Sequence, residues 1–312
     1  MSYIENHKSV NKTHFERAIF LSWYCSKADC AFCYMSTQRH KIKEPKKARR
    51  SLASIFAEAA ISKACGWKIE FLSGGCDSFS IEELVYITKV VYDITGQKQW
   101  LNIGYLSENE LARFVPFAEG FCGAVECVNP KIRAEVCPSK PLVDIIDSFR
   151  ACDRLRLKKA MTLIIGLGET IDDFFLLKKF IRQHGVCRIT FYSLNPHKGG
   201  RFKKPPSIEY YRKWIGLTRK EFPGIEIIAG AWHDKTHYFR EVLLAGADSI
   251  TKFPAIKYLG KKQAFAVEDE IKKAGRVLEG TLTKIPREVD ISACPSQIKG
   301  QLAAKINQYL TK

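Results

Sequence analysis

The chain has 312 residues, 46% hydrophobic and 27% charged, which excludes a disordered or collagen-like polymer and suits two ordinary domains or one closed α/β barrel. Fifty Lys and Arg against 33 Asp and Glu leave a net charge of +17, which calls for an anionic partner, and 11 cysteines behind a polar start (Met1 to Val10) argue for metal or redox chemistry over an exported disulfide scaffold. No run reaches the roughly 18 apolar residues that span a bilayer, so a cytoplasmic protein with one core is expected.

Short apolar runs alternate with helical patterns about eight times along the chain. The predicted strands are Ala18–Tyr24, Lys68–Leu72, Trp100–Tyr105, Gly123–Val128, Met161–Ile165, Arg188–Tyr192, Ile225–Ile228 and Ser249–Phe253. Most are rich in Ile, Val, Leu and Phe without strict alternation, as parallel strands covered on both faces should be. Between them, Ser80-Ile-Glu-Glu83 is a capping box, with Ile81, Leu84, Ile87 and Val91 on one face and Gly96 as the stop. Ser107 to Glu110 forms a second box, Thr170 to Asp173 opens a helix that Gly185 closes, and Ser207 precedes a helix with Ile208, Tyr211 and Ile215 as its buried stripe. Strand then helix, repeated eight times, predicts an α/β fold, a (β/α)8 TIM-type barrel over residues 1–285. Residues 286–312 read as a C-terminal extension carrying a helix from Ser296, its N-cap, to Leu310.

The chemistry is expected at the C-terminal ends of the strands. Directly after the first strand come Cys25, Cys30 and Cys33, three thiols within nine residues. Such a trio can hold three irons of a cubane cluster and leave the fourth open to a small molecule. A zinc site completed by His40 is the alternative, although structural zinc more often uses paired Cys-x-x-Cys units.

The trio, with Phe32 before its last cysteine, resembles the cluster loop of the radical S-adenosylmethionine (SAM) superfamily, with four residues in the first gap where three are usual. Two later segments strengthen the resemblance. Leu72-Ser73-Gly74-Gly75 is similar to the family's glycine pair, and Thr162 to Glu169, with Ile164, Gly166 and Glu169 in place, is similar to its Gly-x-Ile-x-Gly-x-x-Glu pattern except at the first position. The resemblance implies a [4Fe-4S] cluster on Cys25, Cys30 and Cys33. It also implies SAM contacts from Phe32, Ser73, Gly74, Gly75, Ile164, Gly166 and Glu169. The implied activity is reductive cleavage of SAM to a 5′-deoxyadenosyl radical that abstracts hydrogen.

From the second strand to about Gly275 the chain resembles the biotin-synthase-like group, through Lys198-Gly-Gly200, Ile228-Ala-Gly230 and Ala245 to Ile250. Biotin synthase's second-cluster ligands are replaced here, by Leu72, Ala160 and Ala231 among others. The overall look is that of the archaeal two-component lipoyl synthases. That implies sulfur insertion into an octanoyl chain by a sulfurtransferase, a possible second iron–sulfur cluster on Cys122, Cys127 and Cys137, and a second radical SAM subunit. It further implies an acidic lipoyl carrier or octanoylated peptide as partner and an electron donor such as ferredoxin. The carrier would dock on two basic segments, through Lys46, Lys47, Arg49 and Arg50, and through Arg201, Lys203 and Lys204. Cys76 and Cys187 are further available ligands, while Cys65, Cys152 and Cys294 read as packing residues. The alternatives are a radical SAM maturase of the methanogen iron-hydrogenase pyridinol cofactor, or a basic nucleic-acid-binding protein with a structural metal site. The basic stretches lack the interleaved aromatics that stack on bases, which disfavours the last.

Overall fold

The computed structural model describes residues 11–311, so the polar stretch Met1 to Val10 lies outside the described residues. Nine strands are formed: β1 Lys12–Phe20, β2 Lys68–Ser73, β3 Gln99–Asn102, β4 Ala118–Glu126, β5 Lys158–Ile165, β6 Arg188–Ser193, β7 Glu226–Gly230, β8 Ser249–Thr251 and β9 Val277–Glu279. Strands β1 to β8 pair in parallel in chain order, and β1 pairs with both β2 and β8, closing an eight-stranded barrel with helices between strands. This is the expected TIM-type fold. β9, which no sequence signal announces, adds in parallel to β1 along Lys12 to His14. No helix among the described residues is long and apolar enough to cross a membrane.

The start signals work as the sequence predicts. Ser80 and Glu83 form a reciprocal capping box on helix Ile81–Thr95, and Ser107 with Glu110 does the same on helix Glu108–Ala112. Gly96 and Gly185 end their helices in the left-handed conformation. Thr170 opens a short 3-10 turn that runs into helix Phe174–His184, and Ser207 caps helix Ile208–Glu221. Ser296 is a correction: it is the first residue of a 3-10 turn, after which helix Lys299–Leu310 begins without a side-chain cap. That last helix is held instead by Tyr309, whose hydroxyl meets Ser54 Oγ at 2.7 Å on helix Leu52–Ala64.

Two strand boundaries move for physical reasons. β1 begins at Lys12 and β4 at Ala118, several residues before their apolar runs, because Glu16 of β1 faces an ionic interior and Gly120 of β4 lies where a Cβ would meet Lys158 O and the Trp100 ring. Glu16 of β1 is fully buried and bonds Arg188 of β6, which also reaches Glu226 at 3.3 Å and lies 5.1 Å from the centroid of the Trp100 ring. Above this layer Glu70 of β2 accepts from the hydroxyls of Tyr192 and Thr251. Outside the sheet the core is ordinary: Trp67, Tyr211, Trp214 and Phe239 are buried, and Tyr211 donates to Phe191 O at 2.7 Å, tying its helix to β6.

Burial pushes the Glu16 carboxyl up to about 7, against the pull of Arg188. Unfolding returns it to its ordinary 4.5 and releases a proton, so stability falls as pH rises through the window between those values. Removing the guanidinium raises the carboxyl further and carries that window above neutrality. Arg188→Met should therefore cost about 3 kcal/mol at pH 8, where the wild-type ion pair is replaced by a buried carboxyl that must hold a proton or stay charged without a partner, and markedly less at pH 5, where the carboxyl is protonated in both proteins. Urea unfolding at the two pH values checks this; equal losses at both would assign the cost to packing rather than charge.

Candidate functional site

The loop after β1 is fixed by its backbone before any ligand is considered. Ser26 N–H donates to Cys76 O at 3.1 Å, and Ala31 N–H donates to Val136 O at 2.9 Å. These two bonds clamp the cysteine segment between the end of β2 and the loop after helix Pro130–Val136, both on the C-terminal side of the barrel. A side chain at Gly75 would place its Cβ 2.0 Å from Tyr24 O and 2.5 Å from Cys25 Cβ. Only the bare backbone of the Gly74-Gly75 turn lets the loop come this close.

The three sequence-predicted thiols sit at one mouth but face different neighbours. Cys30 and Cys33 belong to an apolar cluster with Cys127, Cys137, Leu167 and Leu194, while Cys25 packs with Ala28 and Cys76. The Cys76 thiol donates to Cys25, whose pKa is lowered to about 5 chiefly by that bond, and Cys30 donates to Cys137, which raises Cys30. Lys140 is the cation of this cluster. Burial pulls its ammonium down, and the thiols of Cys30, Cys76 and Cys25, with Glu126, bring it back above its ordinary value. Among the described residues no three Cys, His, Asp or Glu side chains already stand as a finished metal site.

The donor chemistry nevertheless fits an iron–sulfur cluster. Three soft thiol ligands share one nine-residue loop, the Cys76 hydrogen bond favours the ionised form of one of them, and a cation stands by to offset their charge. Asp29 Oδ1, Ser193 Oγ and His197 Nε2, on this loop and after β6, are buried atoms without a hydrogen-bond partner, the condition of groups that await a ligand. The His197 ring meets that of Tyr34, next to Cys33, at 5.7 Å.

The other predicted residues fall into two groups. Phe32 and Ile164 pack against the Cys30 cluster, and Ser73, Gly74 and Gly75 end β2 beside Cys25. Glu169 is buried and accepts from Gly166 N–H at 2.6 Å and Leu167 N–H at 2.8 Å. Its carboxylate therefore shapes the turn after β5. Cys122, by contrast, lies inside the barrel among Phe71, Trp100, Ala160 and Tyr192, apart from Cys127 and Cys137. Of the basic residues, Arg49 bonds Glu83 and Ser78 O, and Arg50 bonds Glu58 and Phe20 O. Both are tied into the fold. Lys47 pairs with Glu44, Arg201 with Glu135, and Lys203 donates to Gly200 O. Lys46 has its place in the short helix Pro45–Ala48, and Lys204 in the exposed loop that follows Lys203.

Sequence reasoning missed Lys140, Glu126 and Lys252. A usable signal existed for two of them: a charged residue at the last position of β4 and just past the end of β8, where barrel chemistry resides.

No protein-family model matches the chain. Over 278 residues it is 43% identical to the uncharacterized protein MJ0597 of Methanocaldococcus jannaschii, covering 88% of this chain and 77% of the relative. Among solved structures it is similar to methylornithine synthase (PylB), with a TM-score of 0.67 and 19% identity over 77% of this chain and 72% of that one. It is also similar to Streptococcus suis SuiB bound to S-adenosylmethionine, with a TM-score of 0.53 and 12% identity over 78% of this chain and 59% of that one. At such identities the likeness is one of fold.

Gly75→Ala tests the clamp. The added methyl must push Tyr24 and Cys25 away from β2, so the variant should keep its helical circular dichroism but bind less than about half the wild-type iron on anaerobic reconstitution, by the loss of one of three anchored ligands. Full iron content in a folded variant would show that the close approach does not position the thiols.

Proposed function

We propose, for a chain that belongs to the same family as the Methanocaldococcus jannaschii protein MJ0597, a radical SAM activity: reductive cleavage of S-adenosylmethionine for hydrogen abstraction from a substrate held in the barrel. One observation carries the reading. The loop of Cys25, Cys30 and Cys33 is clamped against Gly75 and Cys76 at the C-terminal mouth of a parallel barrel whose β5 turn is braced by Glu169. The likeness in fold to SuiB, whose structure holds S-adenosylmethionine, supports it.

Cys25, Cys30 and Cys33 would hold the cluster. When bound, that cluster supplies an electron and an open iron, the means by which a sulfonium is split at a carbon–sulfur bond. The chain's own residues do the rest. Cys76 keeps Cys25 ionised by donating to it, and Lys140 offsets the charge of the assembled thiolates. Glu169 holds the amides of Gly166 and Leu167, which fixes the shape of the β5 turn. Leu167, Leu194, Phe32 and Ile164 make a dry wall beside Cys30, which protects a reactive species from water.

Sulfur insertion into an octanoyl chain asks for a second cluster and an apolar channel. Cys122 stands apart from Cys127 and Cys137, and the half-buried Glu126 carboxyl stands at the mouth, where an alkyl chain would remove its remaining solvent without pairing it. The arrangement favours a polar substrate over a fatty one.

Anaerobic reconstitution should give about four irons per chain, the content of one [4Fe-4S] cluster, and dithionite with SAM should then yield 5′-deoxyadenosine. Replacing Cys25, Cys30 and Cys33 together by Ala should abolish both. A triple variant that kept its iron, or a loaded wild type that formed no 5′-deoxyadenosine, would sink the proposal; about eight irons would return sulfur insertion to the front.

A further inference from the structure

The barrel mouth holds two strained, oppositely charged residues facing one another. Glu126 ends β4 at φ +62°, and Lys252 follows β8 at φ +70°. A left-handed backbone is costly for residues with a side chain and persists where the surrounding structure imposes it, often at binding sites. In the closed order β1 to β8 these two strands lie four steps apart, directly across the barrel.

Both side chains are built into place. The register of β4 shifts between Gly123 and Glu126, which turns the half-buried carboxyl toward Thr162 on β5, whose hydroxyl donates to it at 3.2 Å. Lys252 reaches over the neighbouring strand: its Nζ stands 4.4 Å from the centroid of Tyr192, and its stem crosses Gly230 so closely that a Cβ there would lie 2.8 Å from Lys252 Cγ and 2.7 Å from the Tyr192 ring. Tyr192 is itself anchored by donating to Glu70. Glu70 is therefore spoken for by Tyr192 and Thr251, whereas Glu126 has one weak neutral donor among the described residues, and Lys252, exposed at the mouth, rests on the face of a ring. Burial raises the Glu126 carboxyl, and Lys140, Arg133, Thr162 and Lys252 pull it back.

We propose that Glu126 and Lys252 bind the two ends of a zwitterionic substrate, an α-amino acid or close derivative, with its ammonium on Glu126 and its carboxylate on Lys252. The two opposed charges select for a ligand that carries both complementary charges, because a singly charged ligand leaves one of them desolvated and unpaired. An alkyl chain would satisfy neither. This assignment rests on the radical SAM reading for the reaction, but not for the binding.

The common L-amino acids, tested one at a time against the reconstituted full chain with SAM present, serve as probes, with octanoate and an octanoyl-lysine peptide as rivals. At least one amino acid should raise the unfolding midpoint, and its carboxamide and its decarboxylated amine should each bind at least about tenfold more weakly. Glu126→Gln and Lys252→Met should each weaken that amino acid by a similar factor, and Glu126→Lys combined with Lys252→Glu should recover part of the loss. The recovery separates charge recognition from damage to the fold. The site is overturned if no amino acid protects, if octanoate or the peptide protects in its place, or if the amide and the amine bind as well as the parent. Iron content and 5′-deoxyadenosine are read on the same preparation. Amino-acid binding without 5′-deoxyadenosine leaves the site standing and overturns the radical reading, and the reverse result overturns the site alone.

Discussion

The site depends on a close backbone approach. Residues 24 and 25 press on β2 where no Cβ is allowed, and the same segment is stitched to Cys76 and to Val136 by main-chain hydrogen bonds. A loop carrying three reactive thiols would otherwise be a mobile excursion from β1, free to pair its cysteines in any order. Fastened at both ends, it presents them to the mouth from a scaffold whose own stability comes from elsewhere, the apolar shell of Trp67, Tyr211, Trp214 and their neighbours outside the sheet. The clamp converts strand geometry into ligand geometry.

The barrel interior follows a different logic. TIM-type barrels are commonly filled with branched apolar side chains. Here the filling runs from an ion pair at the N-terminal end, Glu16 with Arg188, through Glu70 with its two hydroxyl donors, to Glu126 at the mouth. Buried ion pairs add little net stability, and unpaired buried charges cost several kcal/mol, so such a column is poor material for holding a fold together. Its value lies in specificity. Glu16 and Glu70, deeper than Glu126, each accept from donors fixed on other strands, which helps set the register.

How much of this the sequence discloses depends on range. The capping boxes at Ser80 and Ser107, the Gly96 and Gly185 stops and the cysteine trio are local patterns, and all are legible because their chemistry is complete within a few residues. The early halves of β1 and β4 were hidden because Glu16 and Gly120 interrupt the apolar runs, for reasons that lie on other strands, β6 across the barrel for Glu16 and the neighbouring β5 for Gly120. β9 is three residues long and half exposed, with no pattern to read. The pairing of Cys76 with Cys25, and of Cys137 with Cys30, joins segments that only the closed topology brings together. Lys140 was invisible for the same reason.

Lys140 also clarifies the strongly positive balance of the chain. Part of the surface charge is held in pairs such as Arg49 with Glu83 and Arg201 with Glu135, where solvent screens each interaction to at most about 1 kcal/mol. At the mouth the situation differs. Unit charges about 4 Å apart interact by roughly 4 kcal/mol at the effective dielectric of a protein site, enough to decide whether three neighbouring thiols can ionise together. A thiolate trio placed in neutral surroundings would resist its own assembly. The Lys140 ammonium lowers all three thiols of the trio, although burial and the Cys137 thiol still hold Cys30 and Cys33 above the ordinary thiol range. The cation that the topology brings among the thiols is Lys140, which no cluster of lysine and arginine in the sequence announces.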